Sequence, residues 1–336
     1  MQRRQCDTQP SRAHGHGGRT NRRHPQAAAA QPFHKAERSV IATHHQCLHG
    51  RFRWQKPPSL SLQQGLQTRA QLGDTGLQLQ AQGALPPVYE GQRPGFVAAL
   101  GRRAPESPLA VVAEYKRASP SRGVICESLE VEDVARQYAA AGASAVSVLT
   151  EETFFRGRLE YLARAADPAL YTGQRVPLLR KDFIFDPLQV RATAATPASA
   201  LLLIVRLTPD AATLRALREQ AESYGIQAVV EIFDAEDLRL ARESGARIIQ
   251  VNARDLETLA IDRDACLQLV RAFPPASGEQ WIAASGMSSP QHLADAAEAG
   301  YHAALVGSAL MENGTPGEAL AALLGATATS GRERTC

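Results

Sequence analysis

Glu114, Lys116 and Ser119 fall together in the stretch AEYKRASPSRG (113–123), directly after the apolar run Leu109-Ala110-Val111-Val112. Read as a strand, the alternation of side chains puts Glu114 and Lys116 on one face. Pro120 lacks a backbone donor and Gly123 permits a turn, so the strand ends there. A carboxylate and an ammonium side by side at a strand end can move protons or hold an anion. The same pair can equally be a surface ion pair at a sheet edge, which contributes little. Other groups of the same kind follow: Lys181 in Arg180-Lys181-Asp182-Phe183, Glu231, Asn252 with Arg254, Ser285-Gly286, and Gly307-Ser308. Each has a plain structural explanation by itself; Lys181 could pair with Asp182, and Glu231 could cap a helix. The elements that carry them decide between these readings.

From about residue 109 short apolar runs alternate with longer amphipathic segments. The runs predict strands at 111–114, 145–149, 176–180, 200–205, 228–231, 248–252, 281–284 and 303–306. Helical patterns lie between them at 129–141, 157–166, 187–195, 209–224, 235–244, 262–273, 290–299 and 316–324, with a short helix at 96–100 ahead of the first strand. Asp186-Pro187 and Ser289-Pro290 are helix starts, and Gly142, Gly245 and Gly300 are helix stops. Strands alternating with helices predict parallel strands joined by right-handed crossovers. Eight such units suit an α/β fold of the closed (β/α)8 TIM-barrel type. An open doubly wound sheet usually carries a Gly-rich nucleotide loop after its first strand, and none stands here. In a barrel the site lies at the carboxyl ends of the strands, where all the groups named above fall. Gly286 and the pair Gly307-Ser308 follow the last two strands, where backbone N–H groups commonly hold a phosphate. The pattern predicts a barrel enzyme acting on a sugar phosphate.

The chain of 336 residues has a net charge of +3 with an uneven distribution. Residues 1–60 hold 11 Lys/Arg against Asp7 and Glu37, so they carry +9 and the remainder carries −6. Residues 1–57, rich in Arg, Gln and His, read as a disordered basic extension. The Gln-, Leu- and Gly-rich segment 58–93 has glycines that weaken a helix, the barrel domain spans 94–325, and 326–336 reads as a flexible tail. Aromatics make up only 5% of the chain, and the body lacks the basic patch with interleaved aromatics expected of a nucleic-acid partner. No apolar run approaches the ~18 residues of a membrane span. The cysteines at 6, 47, 126, 266 and 336 form no Cys-x-x-Cys pair, which argues against zinc and disulfides and fits a reducing cytoplasm. The histidines at 44, 45 and 49 lack a cysteine or carboxylate cluster to complete a metal site. The expectation is a cytoplasmic protein with a small-molecule partner, monomeric or weakly homo-oligomeric.

AEYKRASPSRG, SVLTEETFFRGRLEYL, PLLRKDFIFDPLQV, VVEIFD, VNARDLETLAID, SGM and LVGSALM occur in an order and spacing that resembles indole-3-glycerol-phosphate synthase over about residues 94–325. The resemblance implies closure of the indole ring of 1-(2-carboxyphenylamino)-1-deoxyribulose 5-phosphate, with loss of carbon dioxide and water, in tryptophan biosynthesis. It implies no metal and no cofactor. It implies Lys181 as the general acid on the ketone and Glu231 as the proton-transfer partner in dehydration. Lys116 would bind phosphate and carboxylate, Glu114 and Asn252 would orient the amino-ribulose portion, and Ser285 would support the hydroxyls or carboxylate. Phe183 would line the aromatic pocket, Arg254 would help bind the carboxylate and Ser119 would contact substrate. Gly286, Gly307 and Ser308 would hold the phosphate. Two features depart from the family pattern. Ala284 stands where the family usually has a glutamate before the serine, and the segment 58–88 replaces a charged helix that helps cover the substrate. The alternative they support is a barrel that binds a phosphosugar without turning it over.

Overall fold

The structure, a computed structural model, describes residues 87–325 apart from Gln174, Pro209, Leu256 and Glu257. The expectations for 1–57, for most of 58–93 and for 326–336 lie outside the described residues. Of the two compact units of the chain, Met1–Lys56 and Pro57–Cys336, the described residues all belong to the second.

Eight strands run β1 Ala110–Tyr115, β2 Ala145–Leu149, β3 Leu178–Ile184, β4 Ala200–Ile204, β5 Gln227–Ile232, β6 Ile248–Asn252, β7 Gln280–Ala284 and β8 Ala303–Val306. All pair in parallel with their neighbours, and β8 pairs with β1 to close the barrel. Helix α1, Phe96–Leu100, precedes β1. The helices between and after the strands are α2 Val131–Ala140, α3 Tyr161–Ala165, α4 Pro187–Ala194, α5 Ala211–Ser223, α6 Ala235–Ser244, α7 Arg263–Ala272, α8 Pro290–Ala299, α9 Ser308–Met311 and α10 Pro316–Leu323. This is the (β/α)8 barrel that the alternation predicts.

Period-2 alternation divides the apolar side chains into two cores. Val111, Ala113, Tyr115, Val230 and Trp281 point outward and pack under the helices. Val112, Leu179, Leu202, Val229, Ile248 and Ile282 point inward and fill the barrel. Phe96 and Leu100 of α1 join this inner core. Gln227, at the start of β5, holds α1 there by accepting from the N–H groups of Phe96 and Val97 at 2.8 and 3.0 Å. Arg93 donates to the carbonyls of Ala194, Thr196 and Ala198 in the turn before β4. Residues 87–100 therefore dock at the amino-terminal ends of the strands, away from the mouth.

Two predicted elements shift. The third strand begins at Leu178, because Pro177 cannot donate to a ladder, and it runs on to Ile184. Lys181 and Phe183 thus lie within the strand. The helix predicted at 157–166 shortens to Tyr161–Ala165. Gly157 donates to the Glu151 carbonyl at 2.7 Å and lies so close to the Leu149 backbone that a Cβ would overlap it. Glu151 accepts from the N–H groups of Thr153, Phe154 and Phe155, which folds 151–157 into a capped loop.

Candidate active site

Glu114 comes at the end of the inward-facing series Ala110, Val112, Glu114 on β1, and only 1% of it is exposed. Lys116 Nζ lies 3.0 Å from its Oε1, and Lys181 Nζ, from β3, lies 3.9 Å from its Oε2. Ser147, the inward residue of β2, donates to Oε2 at 3.5 Å. Burial pushes the Glu114 carboxyl up, but the charges of Lys116 and Lys181 outweigh it and hold the group below its ordinary value. Lys181 does not pair with Asp182. Arg180 and Asp182 point outward, meet each other at 2.8 Å and are tied to Thr150 and Thr193. The β3–β4 register shifts between Arg180 and Ile184, a local irregularity at this end of the strand.

Glu231 is likewise inward and 3% exposed, and it caps no helix; Asp234 caps α6 instead, accepting from the Asp237 N–H. Asn252 Nδ2 donates to Glu231 Oε1 at 3.2 Å, and Gln250 Nε2 donates to Oε2. The orientation of Asn252 is set by its neighbours. Its Oδ1 accepts from the Arg254 N–H at 3.0 Å and from Ser285 Oγ at 2.7 Å, leaving the amide nitrogen for Glu231. Ser285 adopts φ 68°, a left-handed conformation unusual for a residue with a side chain. Such strain is characteristic of functional sites. Ala284, beside Asn252 in the β6–β7 register, is inward and buried, so a methyl group occupies the acid position.

The rim is built by loops. Gly286 takes φ 76°, and a Cβ there would overlap Ile261 and crowd Arg263. Arg263 donates to the Gly286 carbonyl at 3.2 Å and meets His292 Nδ1 at 3.0 Å. The same His292 nitrogen accepts from the Ser288 N–H at 3.2 Å. Burial and the neighbouring Arg263 charge lower the affinity of His292 for a proton, which keeps that acceptor available. Gly307 is required for a reason separate from phosphate: a Cβ there would collide with the Glu114 carboxylate. Ser308 opens α9, whose first N–H groups have no acceptor within the helix. Arg254 donates to the Leu259 carbonyl at 2.9 Å. Burial, then the nearby Arg122, lowers the proton affinity of its guanidinium, although an arginine stays charged throughout the working range.

These groups converge on one cavity of about 480 Å³, within the range of a small-molecule site. Glu114, Lys116, Lys181, Glu231, Asn252, Arg254, Ser285, Gly286 and Ser308 all line it. Ser119, Phe183 and Gly307 are not among its lining residues. Ser119 is 6% exposed, in a two-stranded hairpin formed by Ala118–Ser119 and Gly123–Val124, with its hydroxyl 3.5 Å from that of Ser121. Phe183, two residues on from Lys181, packs against the inner core and on Phe155 at 6.2 Å, and Lys116 Nζ sits 5.9 Å from the Phe155 ring. Gln250, Arg122 and Arg263 line the cavity without having been singled out in the sequence. Gln250 could have been found by counting back two residues from Asn252. The two arginines lie in a loop and at a helix start, where no periodicity marks them. Among the described residues no cluster of His, Cys, Asp and Glu could hold a metal. No described helix is long and apolar enough to cross a membrane. Cys126 and Cys266 are free and buried, and burial pushes the Cys266 thiol up to about 12.

The family model for indole-3-glycerol phosphate synthase matches residues 77–323. The chain belongs to this family. Among the relatives it resembles is the indole-3-glycerol phosphate synthase of Chloroherpeton thalassium, 42% identical over 217 residues, or 64% of this chain and 80% of that protein. That of Koribacter versatilis is 39% identical over 231 residues, or 69% and 85%. A crystal structure of 3-hexulose-6-phosphate synthase superposes with TM-score 0.51 at 16% identity, covering 66% of this chain and all of that one, and shows the shared fold alone. The family match starts at residue 77, ahead of the first quoted motif, so it takes in part of the 58–93 segment.

Proposed function

We propose that this chain is an indole-3-glycerol-phosphate synthase whose catalytic groups are two clusters facing one cavity. One is the Lys116–Glu114–Lys181 charge set, the other the Glu231–Asn252–Ser285 set. The observation that carries the reading is the pairing of Glu114 with two lysines at unequal distance, 3.0 Å for Lys116 and 3.9 Å for Lys181. The tighter contact commits Lys116 to Glu114, and the longer one leaves Lys181 donors for a substrate oxygen.

In the first step the aromatic carbon bearing the carboxylate attacks the ketone carbon of the deoxyribulose chain. Negative charge develops on the ketone oxygen, and Lys181 delivers a proton to it. Positive charge develops on the ring and its nitrogen, where the buried Glu114 carboxylate opposes it. Departure of the carboxylate as carbon dioxide returns the electron pair to the ring. The new hydroxyl then leaves as water while the neighbouring carbon beside the nitrogen gives up a proton to Glu231, and the C=C bond formed between the two carbons completes the indole. Arg254 and Lys116 favour the substrate carboxylate; Gly286, Gly307 and the N–H of Ser308 favour the phosphate. Ser119 supports the loop beside Lys116, and Phe183, on the inner face of β3, favours the aromatic ring. The reading extends to a cytoplasmic enzyme, monomeric or weakly self-associating.

Incubation of the purified full chain with 1-(2-carboxyphenylamino)-1-deoxyribulose 5-phosphate should give the fluorescence of indole-3-glycerol phosphate. Binding of that substrate without product at high enzyme concentration would sink this reading and favour the non-catalytic barrel.

A further inference from the structure

Gln250 lies in the middle of β6, between Ile248 and Asn252 on the inward face, and none of it is exposed. Its Cα is the register partner of Glu231 on β5. Beside it on β7 is Ile282, and the inward layer below it, Val229 on β5 and Ile248 on β6, is apolar. A glutamine at this depth is expensive for the fold, and the cost is visible in the structure. Its Nε2 donates to Glu231 Oε2, while its buried Oε1 has no partner. A buried orphan acceptor of this kind calls for an explanation other than packing.

Glu231 provides one. Its two carboxylate oxygens are each held by one amide, Oε1 by Asn252 and Oε2 by Gln250. The two amides are not equivalent. Asn252 is locked, because its Oδ1 accepts from Arg254 and Ser285. The carbonyl oxygen of Gln250 is unengaged, so this amide can exchange its ends by rotation about its last side-chain bond without losing a second contact. The N–H end suits a carboxylate; the C=O end suits a carboxylic acid, which has a proton to donate. Across β6, Ala284 supplies only a methyl group, so no second carboxylate competes for either amide.

We infer that Gln250 is a positioning residue for Glu231, its carboxamide holding the acid by its N–H while ionised and by its C=O once protonated. The inference rests on the proposed role of Glu231 in the dehydration. It adds a residue of the same cavity that acts through that carboxyl group.

The test is a double-mutant cycle on the full chain, measuring kcat and KM by indole fluorescence. Gln250→Met keeps length and volume but removes both ends of the amide. It should lower kcat by about tenfold or more, with KM changed less than about threefold, because a misplaced proton-transfer group impairs the reaction more than binding. In a Glu231→Gln background the same substitution should change the residual kcat by less than about twofold, since there is no longer a titrating group to position. An equal loss on both backgrounds, or no loss in the single variant, overturns the inference. Glu231→Gln with undiminished kcat would instead overturn the role of Glu231. Thermal unfolding accompanies each variant; if Gln250→Met does not fold, Gln250→Leu takes its place under the same criteria.

Discussion

Lys181 reaches Glu114 across an intervening strand. The two stand on β3 and β1, with β2 between them, yet Nζ and Oε2 are 3.9 Å apart. The inward residue of β2 at this level is Ser147, small enough to let the contact form and polar enough to donate to the same oxygen. Ser147→Leu should force the lysine and glutamate apart. Overpacking here costs about 1–3 kcal/mol of stability, and displacement of the pair should lower kcat/KM by about a hundredfold. Steady-state kinetics with a melting curve checks both; a fully active variant would show that the contact is not needed.

Lys181→Ala should abolish turnover while the fold persists. Loss of a general acid typically costs 10²–10⁴-fold in rate, and the lysine is partly exposed, so little packing is lost with it. The readout is kcat beside far-UV circular dichroism. Retention of most of the activity by the pure variant would remove Lys181 from the mechanism.

Gly307→Ala places a methyl group against the Glu114 carboxylate. The expected result is a fall in kcat/KM of about tenfold or more, through movement of Glu114 and both lysines. Gly314→Ala is a control for backbone change, because a Cβ there meets nothing within 4 Å; its own strain arises only from φ 71°. Equal kinetic effects of the two would argue against the steric explanation.

Acid should destabilise the barrel through Glu114. Its carboxyl is held below the ordinary 4.5 by Lys116 and Lys181 despite burial. The folded state thus binds this proton less readily than the unfolded chain does. The resulting stabilisation is complete above the unfolded value and is lost as pH falls through the folded one. Lys116→Met removes the nearer cation and leaves burial to dominate. The variant should be less stable than the parent at neutral pH, and the difference should shrink on acidification. Melting temperatures from about pH 3 to 8 follow both curves. A constant difference across that range would contradict the assignment.

We propose that residues 1–57 are dispensable for catalysis. A chain starting at residue 58 should keep kcat/KM within about twofold of the full chain, as expected for an extension that contributes nothing to the site. A large loss of activity would give the extension a role in the site.

The sequence by itself determined the order and kind of the elements. Strands 145–149, 248–252 and 303–306 and helices 235–244 and 290–299 fall where local signals put them, because alternation, N-caps such as Asp234 and Ser289, and the left-handed glycines 245 and 300 act within a few residues. The ends of the predicted strands also put Glu114, Glu231 and Asn252 at the mouth of the barrel. Only the tertiary structure decided the partners. Asp182 could have taken Lys181 or Arg180, and the choice depends on Thr193 of α4 and Thr150 after β2, which stand outside the barrel wall. Gln250 acquires a partner only because β5 brings Glu231 alongside it. Ser119 went into a short hairpin and Phe183 onto the inner face of β3 against Phe155, placements that no local signal shows. Side-chain direction follows from local stereochemistry, which a sequence carries. Which charge meets which across the mouth depends on how separate strands are brought together, as β1 with Glu114 and β3 with Lys181 are.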